Sequence, residues 1–196
     1  MIIGVTGGVG SGKSTILSIL KQEFDAKIII ADELGHLAIQ PGQEPVEKIR
    51  LQFGDDFILP DGNVDRDKLA HEIYSDDEKR EQLNGMIHPF VFREIKKKLK
   101  EWENEPLIVI ETAIMFETGC DKLCDEIWGV YVEREARINR LSESRGYPRE
   151  KSEFIINKQL SDDDLKAKCD KIIDNNGKVE NILFQLQDLL EKKGII

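Results

Sequence analysis

The stretch "IIGVTGGVGSGKST", from Ile2 to Thr15, decides the fold class. It begins with apolar residues, continues through a glycine-rich turn, and leads into a segment where Ile16, Leu20 and Phe24 recur every four residues. That spacing predicts an amphipathic helix, and the apolar run before the turn predicts a buried strand. A strand, a glycine-rich turn and a helix in this order predict the opening unit of an α/β protein.

The glycine-rich turn matches the pattern G-x-x-x-x-G-K-[ST] through Gly7, Gly12, Lys13 and Ser14. Glycines let successive backbone N–H groups point at phosphate oxygens, and the helix that follows adds the positive end of its dipole. Lys13 is then expected to reach the β- and γ-phosphates, and the Ser14 hydroxyl to coordinate Mg²⁺. We therefore predict that the chain binds a nucleoside triphosphate.

Further short apolar runs predict the other strands of a parallel sheet. The first three runs are continuously apolar, which is typical of strands that are covered on both faces. Helical stretches separate the runs, so we predict an α/β fold with a five-stranded parallel sheet flanked by helices. The predicted strands are Ile2–Thr6, Lys27–Ala31, Leu107–Thr112, Ile127–Val132 and Lys171–Asp174.

Two intervals between strands are longer than a crossover helix requires. About seventy-five residues separate the second and third strands, and they include the turn "LPDGNVD" at 59–65. The other interval, between the fourth and fifth strands, is highly charged and predicts two helices around Gly146. We expect both to be excursions from the sheet that close over ligands.

Composition limits the classes of partner. The formal net charge of −10 argues against broad nucleic-acid binding, which needs a basic surface. The apolar runs are far too short to span a membrane, and the N-terminus has no secretory signal pattern. We expect one cytoplasmic domain over residues 1–196, monomeric by default, with reduced thiols at Cys120, Cys124 and Cys169.

Asp32 follows the second predicted strand and has two functional interpretations. With Gly35 it forms Asp-x-x-Gly, the switch pattern of GTPases, but the pair Asn157-Lys158 lacks the aspartate that would bind guanine. At the carboxyl end of a parallel strand, near the first strand, Asp32 would instead accept the proton of an attacking hydroxyl. A helix N-cap is its structural alternative.

Arginines concentrate in the charged excursion. As a set they predict a lid that neutralises the γ-phosphate, although each one alone fits a solvated surface position. In the other excursion, His88-Pro89 by itself indicates ordinary packing at the first turn of a helix. Glu117, beyond the third strand, fits either a helix start or a ligand contact. The lid arginines are Arg134, Arg137, Arg140, Arg145 and Arg149.

Several segments together resemble the dephospho-CoA kinase family, nearly from end to end. The most specific is the Asp-Gly…Asp-Arg…His-Pro stretch that ends at Pro89, whereas the phosphate-binding loop is shared by very many proteins. The matching segments are "IIGVTGGVGSGKST", "IIIADELGHLAIQPGQ", "LPDGNVDRDKLAHEIYSDDEKREQLNGMIHP", "RINRLSESRG" and "IIDNNG".

The resemblance implies transfer of a phosphate from ATP to the 3′-hydroxyl of dephospho-CoA, the last step of coenzyme A synthesis. It implies a P-loop kinase core with a CoA-binding helical region at about residues 60–100 and a lid at about residues 134–168. The alternative enzyme is another small P-loop kinase, for nucleoside monophosphates or shikimate. The alternative outside this class of enzymes is a nucleotide switch, whose product is a conformational state.

The resemblance also implies site residues. Asp32 would be the base, with Lys13 and Arg140 at the transferred phosphate and Mg²⁺ on Ser14. Acceptor contacts would come from His88, Pro89 and Glu117. Arg145 would make a further contact to ATP, and either Asn175 or Asn176 would lie near the adenine. The loop residues that would hold ATP are Gly10, Ser11, Gly12, Lys13, Ser14 and Thr15.

The chain departs from the family pattern at two positions. The family's third-strand motif usually begins with proline, where this chain has Ala113, although Glu117 is retained at its end. The family often has arginine four residues before the lid glutamine, Gln159, where this chain has Ile155. Any role of that arginine must therefore be absent or moved.

Overall fold

One parallel sheet of five strands organises the chain, in a computed structural model that describes residues 1–74 and 76–196. The strand order is β2-β3-β1-β4-β5, which confirms the predicted sheet. Strand ends differ from the prediction by one residue in places; the second strand stops at Ile30 because a helix begins at Ala31. The strands are β1 (Ile2–Thr6), β2 (Lys27–Ile30), β3 (Ile108–Glu111), β4 (Glu126–Tyr131) and β5 (Lys171–Asp174).

The central strand, β1, pairs with β3 on one side and β4 on the other. Val5 lies opposite Glu111 of β3 and Trp128 of β4. Val5 and Trp128 are fully buried, as is Ile110 of β3, because helices cover both faces of the sheet. This burial agrees with the continuously apolar composition of the strands.

The chain divides into two compact units. The first, residues 1–29 and 102–196, contains most of the sheet and five α-helices. The predicted two-helix excursion forms three helices over the described residues 134–168, because α6 ends at Gly146 with a φ of 64° and Ser161 caps a further short helix. The helices of this unit are α1 (Lys13–Glu23), α6 (Arg134–Arg145), α7 (Arg149–Asn157), α8 (Asp162–Lys168) and α9 (Val179–Glu191).

The second unit, residues 30–101, is helical. It begins well before the predicted excursion at about residue 60, because α2 and α3 pack against the long helix α5. Its core includes Ile49, Phe57 and Leu83. The helices are α2 (Ala31–Ala38), α3 (Glu44–Phe53), α4 (Arg66–Tyr74) and α5 (Asp77–Glu101).

Helix α5 runs through the His88-Pro89 pair, so the prediction that Pro89 stands in the first turn of a helix is wrong. A proline inside a helix removes one N–H donor and crowds the carbonyl four residues earlier. That carbonyl belongs to Gly85, where an added Cβ would meet no atom within 4 Å. Among the described residues, no helix is long and apolar enough to cross a membrane.

Candidate active site

The segment between β1 and α1, Gly7–Gly12, which we call the phosphate loop, has the geometry that its sequence predicts. Gly10 and Gly12 have φ values of 78° and 85°, in the left-handed region that favours glycine. Gly12 is the N-cap of α1, so the positive end of that helix dipole faces the loop. Ser14 lies exposed in the first turn of α1.

Lys13 is held at the base of this loop by two oxygen groups. Its Nζ donates to the Gly7 carbonyl at 2.8 Å and lies 3.5 Å from Glu111 Oε1. The side chains of Lys13 and Glu111 are only 15% and 9% exposed, so this ion pair is weakly screened by solvent. Glu111 ends β3, the strand beside β1.

Glu111 is a site residue that the sequence reasoning missed. The available signal was a carboxylate closing an otherwise apolar strand, directly before Thr112. The sequence did not reveal that β3, rather than β2, pairs with β1. One strand, β3, therefore separates the first and second strands, whereas the interpretation of Asp32 as a base supposed only that they lie near each other.

Asp32 lies in the first turn of α2, two residues beyond the end of β2, and its side chain is exposed. The N-cap of α2 is Ile30, so the structural alternative of an N-cap aspartate does not apply. Gly35 lies in the second turn of the same helix. A helix that begins directly after β2 leaves no extended switch segment around the Asp-x-x-Gly pattern.

The predicted lid arginines fall into two groups. Arg137 and Arg140 of α6 reach the phosphate loop and its neighbour Asn175: Arg137 Nε donates to the Val9 carbonyl at 3.1 Å, and Arg140 Nη2 donates to the Asn175 carbonyl at 2.8 Å. The others lie at the surface, where Arg145 stacks 5.9 Å from the centre of the Tyr147 ring. Surface exposure of Arg145 leaves its guanidinium open to an anionic ligand.

Asn175, directly after β5, braces the phosphate loop. Its Nδ2 donates to the Ser11 carbonyl at 2.7 Å, and the residue is 5% exposed. A Cβ on Gly12 would overlap this amide, so only glycine leaves room for it. The side chain that the resemblance associates with adenine is thus bonded to loop backbone, while Asn176 accepts a hydrogen bond from Glu133 N.

The remaining predicted site residues differ in how exposed they are. His88 is half-buried in α5, where burial lowers the pKa of its imidazole, and Pro89 beside it is exposed. Glu117 is exposed in the turn that follows β3. Ala113 lines a small cavity of about 20 Å³ together with Gly7 and Gly8.

The residues present fit a magnesium ion that arrives with a nucleotide. Mg²⁺ usually keeps several waters and takes one or two protein oxygens plus substrate phosphates. The exposed Ser14 hydroxyl, in the first turn of α1, and the Glu111 carboxylate, at the end of β3, supply such oxygens. Across residues 1–74 and 76–196, no group of three or more His, Cys, Asp or Glu side chains is placed to hold a metal ion.

Comparison with known proteins agrees with this geometry. The family model described as dephospho-CoA kinase matches residues 1–181. The chain belongs to the dephospho-CoA kinase family. A dephospho-CoA kinase of Carboxydothermus hydrogenoformans is 37% identical over 193 residues, which cover 97% of this chain and 93% of that protein.

Two solved structures extend the comparison. A crystal structure of TT1252 from Thermus thermophilus aligns with a TM-score of 0.84 and 26% identity, over 98% of this chain and 97% of the other. Dephospho-CoA kinase from Campylobacter jejuni aligns with a TM-score of 0.73 and 20% identity, over 98% of each chain, and supports the fold. The family and the P-loop kinase fold predicted from the sequence are both confirmed, and the chain is a kinase.

Proposed function

We propose that this kinase transfers the γ-phosphate of ATP to the 3′-hydroxyl of dephospho-CoA, giving coenzyme A and ADP as the last step of coenzyme A synthesis. The observation that carries the proposal is the dephospho-CoA kinase family match over residues 1–181. The Lys13–Glu111 pair beneath the phosphate loop supports it, since a phosphate-binding lysine is already oriented there.

On the nucleotide side, the phosphate loop binds ATP through backbone N–H groups at the positive end of α1. The residues proposed to hold ATP include Lys13, which pairs with the β- and γ-phosphate oxygens and so leaves its contact with Gly7. Arg140 reaches the transferred phosphate from α6 and neutralises its equatorial oxygens. Arg145, exposed in the last turn of α6, contacts ATP from the same side. The loop residues of this site are Gly10, Ser11, Gly12, Lys13, Ser14 and Thr15.

Ser14 and Glu111 are the side chains that would hold Mg²⁺ when it binds together with ATP. The ion, when bound with ATP, draws negative charge off the β- and γ-phosphates. Glu111 also orients Lys13, because its Oε1 lies 3.5 Å from Nζ.

Asp32 is proposed as the base. Ligands in parallel α/β sheets gather beyond the carboxyl ends of the strands, and Asp32 stands two residues past the end of β2. The 3′-oxygen of the acceptor attacks the γ-phosphorus while the bond from that phosphorus to the bridging oxygen breaks, and ADP leaves. Asp32 accepts the hydroxyl proton as the new P–O bond forms. His88, Pro89 and Glu117 are proposed to contact the acceptor.

An acceptor panel tests the function. The purified protein is assayed for ADP release with ATP and Mg²⁺, in the presence of dephospho-CoA, AMP, shikimate or no acceptor. We expect turnover with dephospho-CoA and a product phosphorylated at the 3′-oxygen by mass spectrometry and NMR. Turnover only with AMP or shikimate would favour another P-loop kinase, and acceptor-independent hydrolysis with a preference for GTP would favour a switch.

We propose further that the enzyme acts as a cytoplasmic monomer on small-molecule substrates alone. Sedimentation velocity of the purified chain with and without ATP tests the monomeric state. A dimer or trimer at micromolar concentration would contradict it.

A further inference from the structure

Both backbone polar groups of one phosphate-loop residue, Val9, are hydrogen-bonded to residues of the predicted lid. The Val9 N–H donates to Gln159 Oε1 at 3.0 Å, and the Val9 carbonyl accepts from Arg137 Nε at 3.1 Å. Arg137 Nη2 also donates to Gln159 Oε1, at 2.7 Å. These three hydrogen bonds close a ring through Val9, Arg137 and Gln159, which we call the Val9 clamp.

Arg137 is unusually buried for an arginine. Its side chain is 6% exposed, and the carboxylate paired with it, Asp162, lies 3.9 Å from Nη1 and is itself 41% exposed. Burial lowers the pKa of its guanidinium. A buried cation with so distant a partner must be stabilised by hydrogen bonds to neutral acceptors, and the clamp supplies them.

The residue beside Val9 is adapted to this cation. A Cβ on Gly8 would overlap the Arg137 guanidinium. The motif G-x-x-x-x-G-K-[ST] places no demand on this position, so the glycine is explained by Arg137 rather than by phosphate binding. Ile155, four residues before Gln159, carries no cation, and Arg137 is the guanidinium that bonds to Gln159.

The clamp connects the loop to two parts of the lid. Arg137 belongs to α6, whereas Gln159 follows α7 and hydrogen-bonds back to Ile156 at the end of that helix. Because Gln159 accepts from the Val9 N–H and Arg137 donates to the Val9 carbonyl, lid residues orient the two peptide units that flank Val9. A displacement of α6 or α7 would therefore be transmitted to the phosphate loop.

We propose that Arg137 and Gln159 are positioning residues that hold the phosphate loop in its nucleotide-binding shape through the backbone N–H and the backbone carbonyl of Val9. The inference rests on the proposed use of ATP but not on the acceptor. It predicts that loss of either side chain weakens nucleotide binding while the KM for the acceptor stays unchanged.

The test measures the equilibrium dissociation constant of Mg²⁺-ATP by calorimetry without acceptor. Arg137→Gln and Gln159→Leu are each expected to weaken binding by about tenfold or more, since each removes two partly buried hydrogen bonds of the clamp. Gln159→Glu should stay within about threefold of the unmodified protein, because a carboxylate still accepts from both the Val9 N–H and Arg137. A merely structural role would not produce this rescue.

A matched control is Arg134→Gln, three residues earlier on α6. It removes the same charge from an exposed position, so its ATP affinity should stay within about twofold of the unmodified protein. The dissociation constant of Mg²⁺-ATP in the double variant Arg137→Gln/Gln159→Leu should be at most about twice that of whichever single variant binds ATP less tightly. The reason is that both changes break the same clamp.

Two results would overturn the proposal. One is an ATP affinity in Arg137→Gln equal to that of Arg134→Gln; the other is an effect of the double variant equal to the product of the single effects. If Arg137→Gln fails to fold, equal ATP affinities in Gln159→Leu and Gln159→Glu would overturn it instead. Because no acceptor is present, these outcomes are independent of whether dephospho-CoA is the substrate.

Discussion

Replacing Asn175 with alanine separates two roles for this residue, a contact to adenine and a brace of the phosphate loop. The substitution removes the Nδ2 donor to the Ser11 carbonyl. It leaves the bond from Arg140 Nη2 intact, because that bond ends on the Asn175 backbone oxygen. The variant therefore isolates one side-chain hydrogen bond.

The magnitude follows from the burial of the amide. At 5% exposure, water does not readily replace the lost donor, and leaving a buried carbonyl without it costs about 1–3 kcal/mol. For a chain of 196 residues, this corresponds to a fall in melting temperature of about 2–12 °C. If the whole of this free energy were lost from binding, the dissociation constant of the triphosphate would rise by about 5-fold to 150-fold, and we expect a rise of about tenfold.

The assay compares the dissociation constants of ATP and GTP, each with Mg²⁺, by calorimetry. If Asn175 only holds the loop that binds the phosphates, its loss affects both nucleotides alike. Both dissociation constants should then rise by the same factor, and the preference for ATP should be unchanged. Asn176→Ala is the matched control: its side chain accepts from Glu133 N rather than from the loop, and both affinities should stay within about twofold.

Two results would refute this reasoning. An increase in the ATP constant more than about threefold greater than that of GTP would indicate a contact to the base. Unchanged affinity and unchanged melting temperature would show that the hydrogen bond to Ser11 contributes nothing to the loop.

Three further predictions concern other parts of the chain. Asp32→Asn should lower kcat by at least about 10²-fold with the ATP dissociation constant nearly unchanged, and near-normal turnover would remove Asp32 from catalysis. Because burial lowers the pKa of His88 below 6.5, the folded state binds fewer protons than the unfolded state. This contribution to stability is complete above pH 6.5 and is lost as the pH falls through the folded pKa. The free energy of unfolding by urea should therefore change less between about pH 7.5 and about pH 5.5 in His88→Gln than in the unmodified protein. An identical change in the two proteins would contradict the assignment. Burial raises the pKa of Cys124 to about 12 and that of Cys169 to about 11, so both thiols should react slowly with Ellman's reagent at about pH 8 until the protein is unfolded, and rapid reaction in the native protein would contradict this.

The parts of the site that the sequence predicted are those in which neighbouring residues in the chain act together. The phosphate loop needs glycines with positive φ, a lysine and a hydroxyl within eight consecutive positions, and all of them can be read from Gly7–Ser14. The strands could be predicted in the same way, since burial on both faces demands continuous apolar runs. The two-unit division was only partly visible, as one unusually long interval between strands.

Tertiary structure decided which side chains meet that loop. Glu111 faces Lys13 because β3 lies beside β1, an order that no local pattern encodes. Asn175 and Arg137 reach Ser11 and Val9 across 164 and 128 residues of chain. Their residue types alone fit solvated surfaces as well as buried braces. Only the packing of α6 and β5 against the loop shows that Arg137 and Asn175 are buried. A buried polar side chain needs a hydrogen-bond partner, and the loop backbone supplies it.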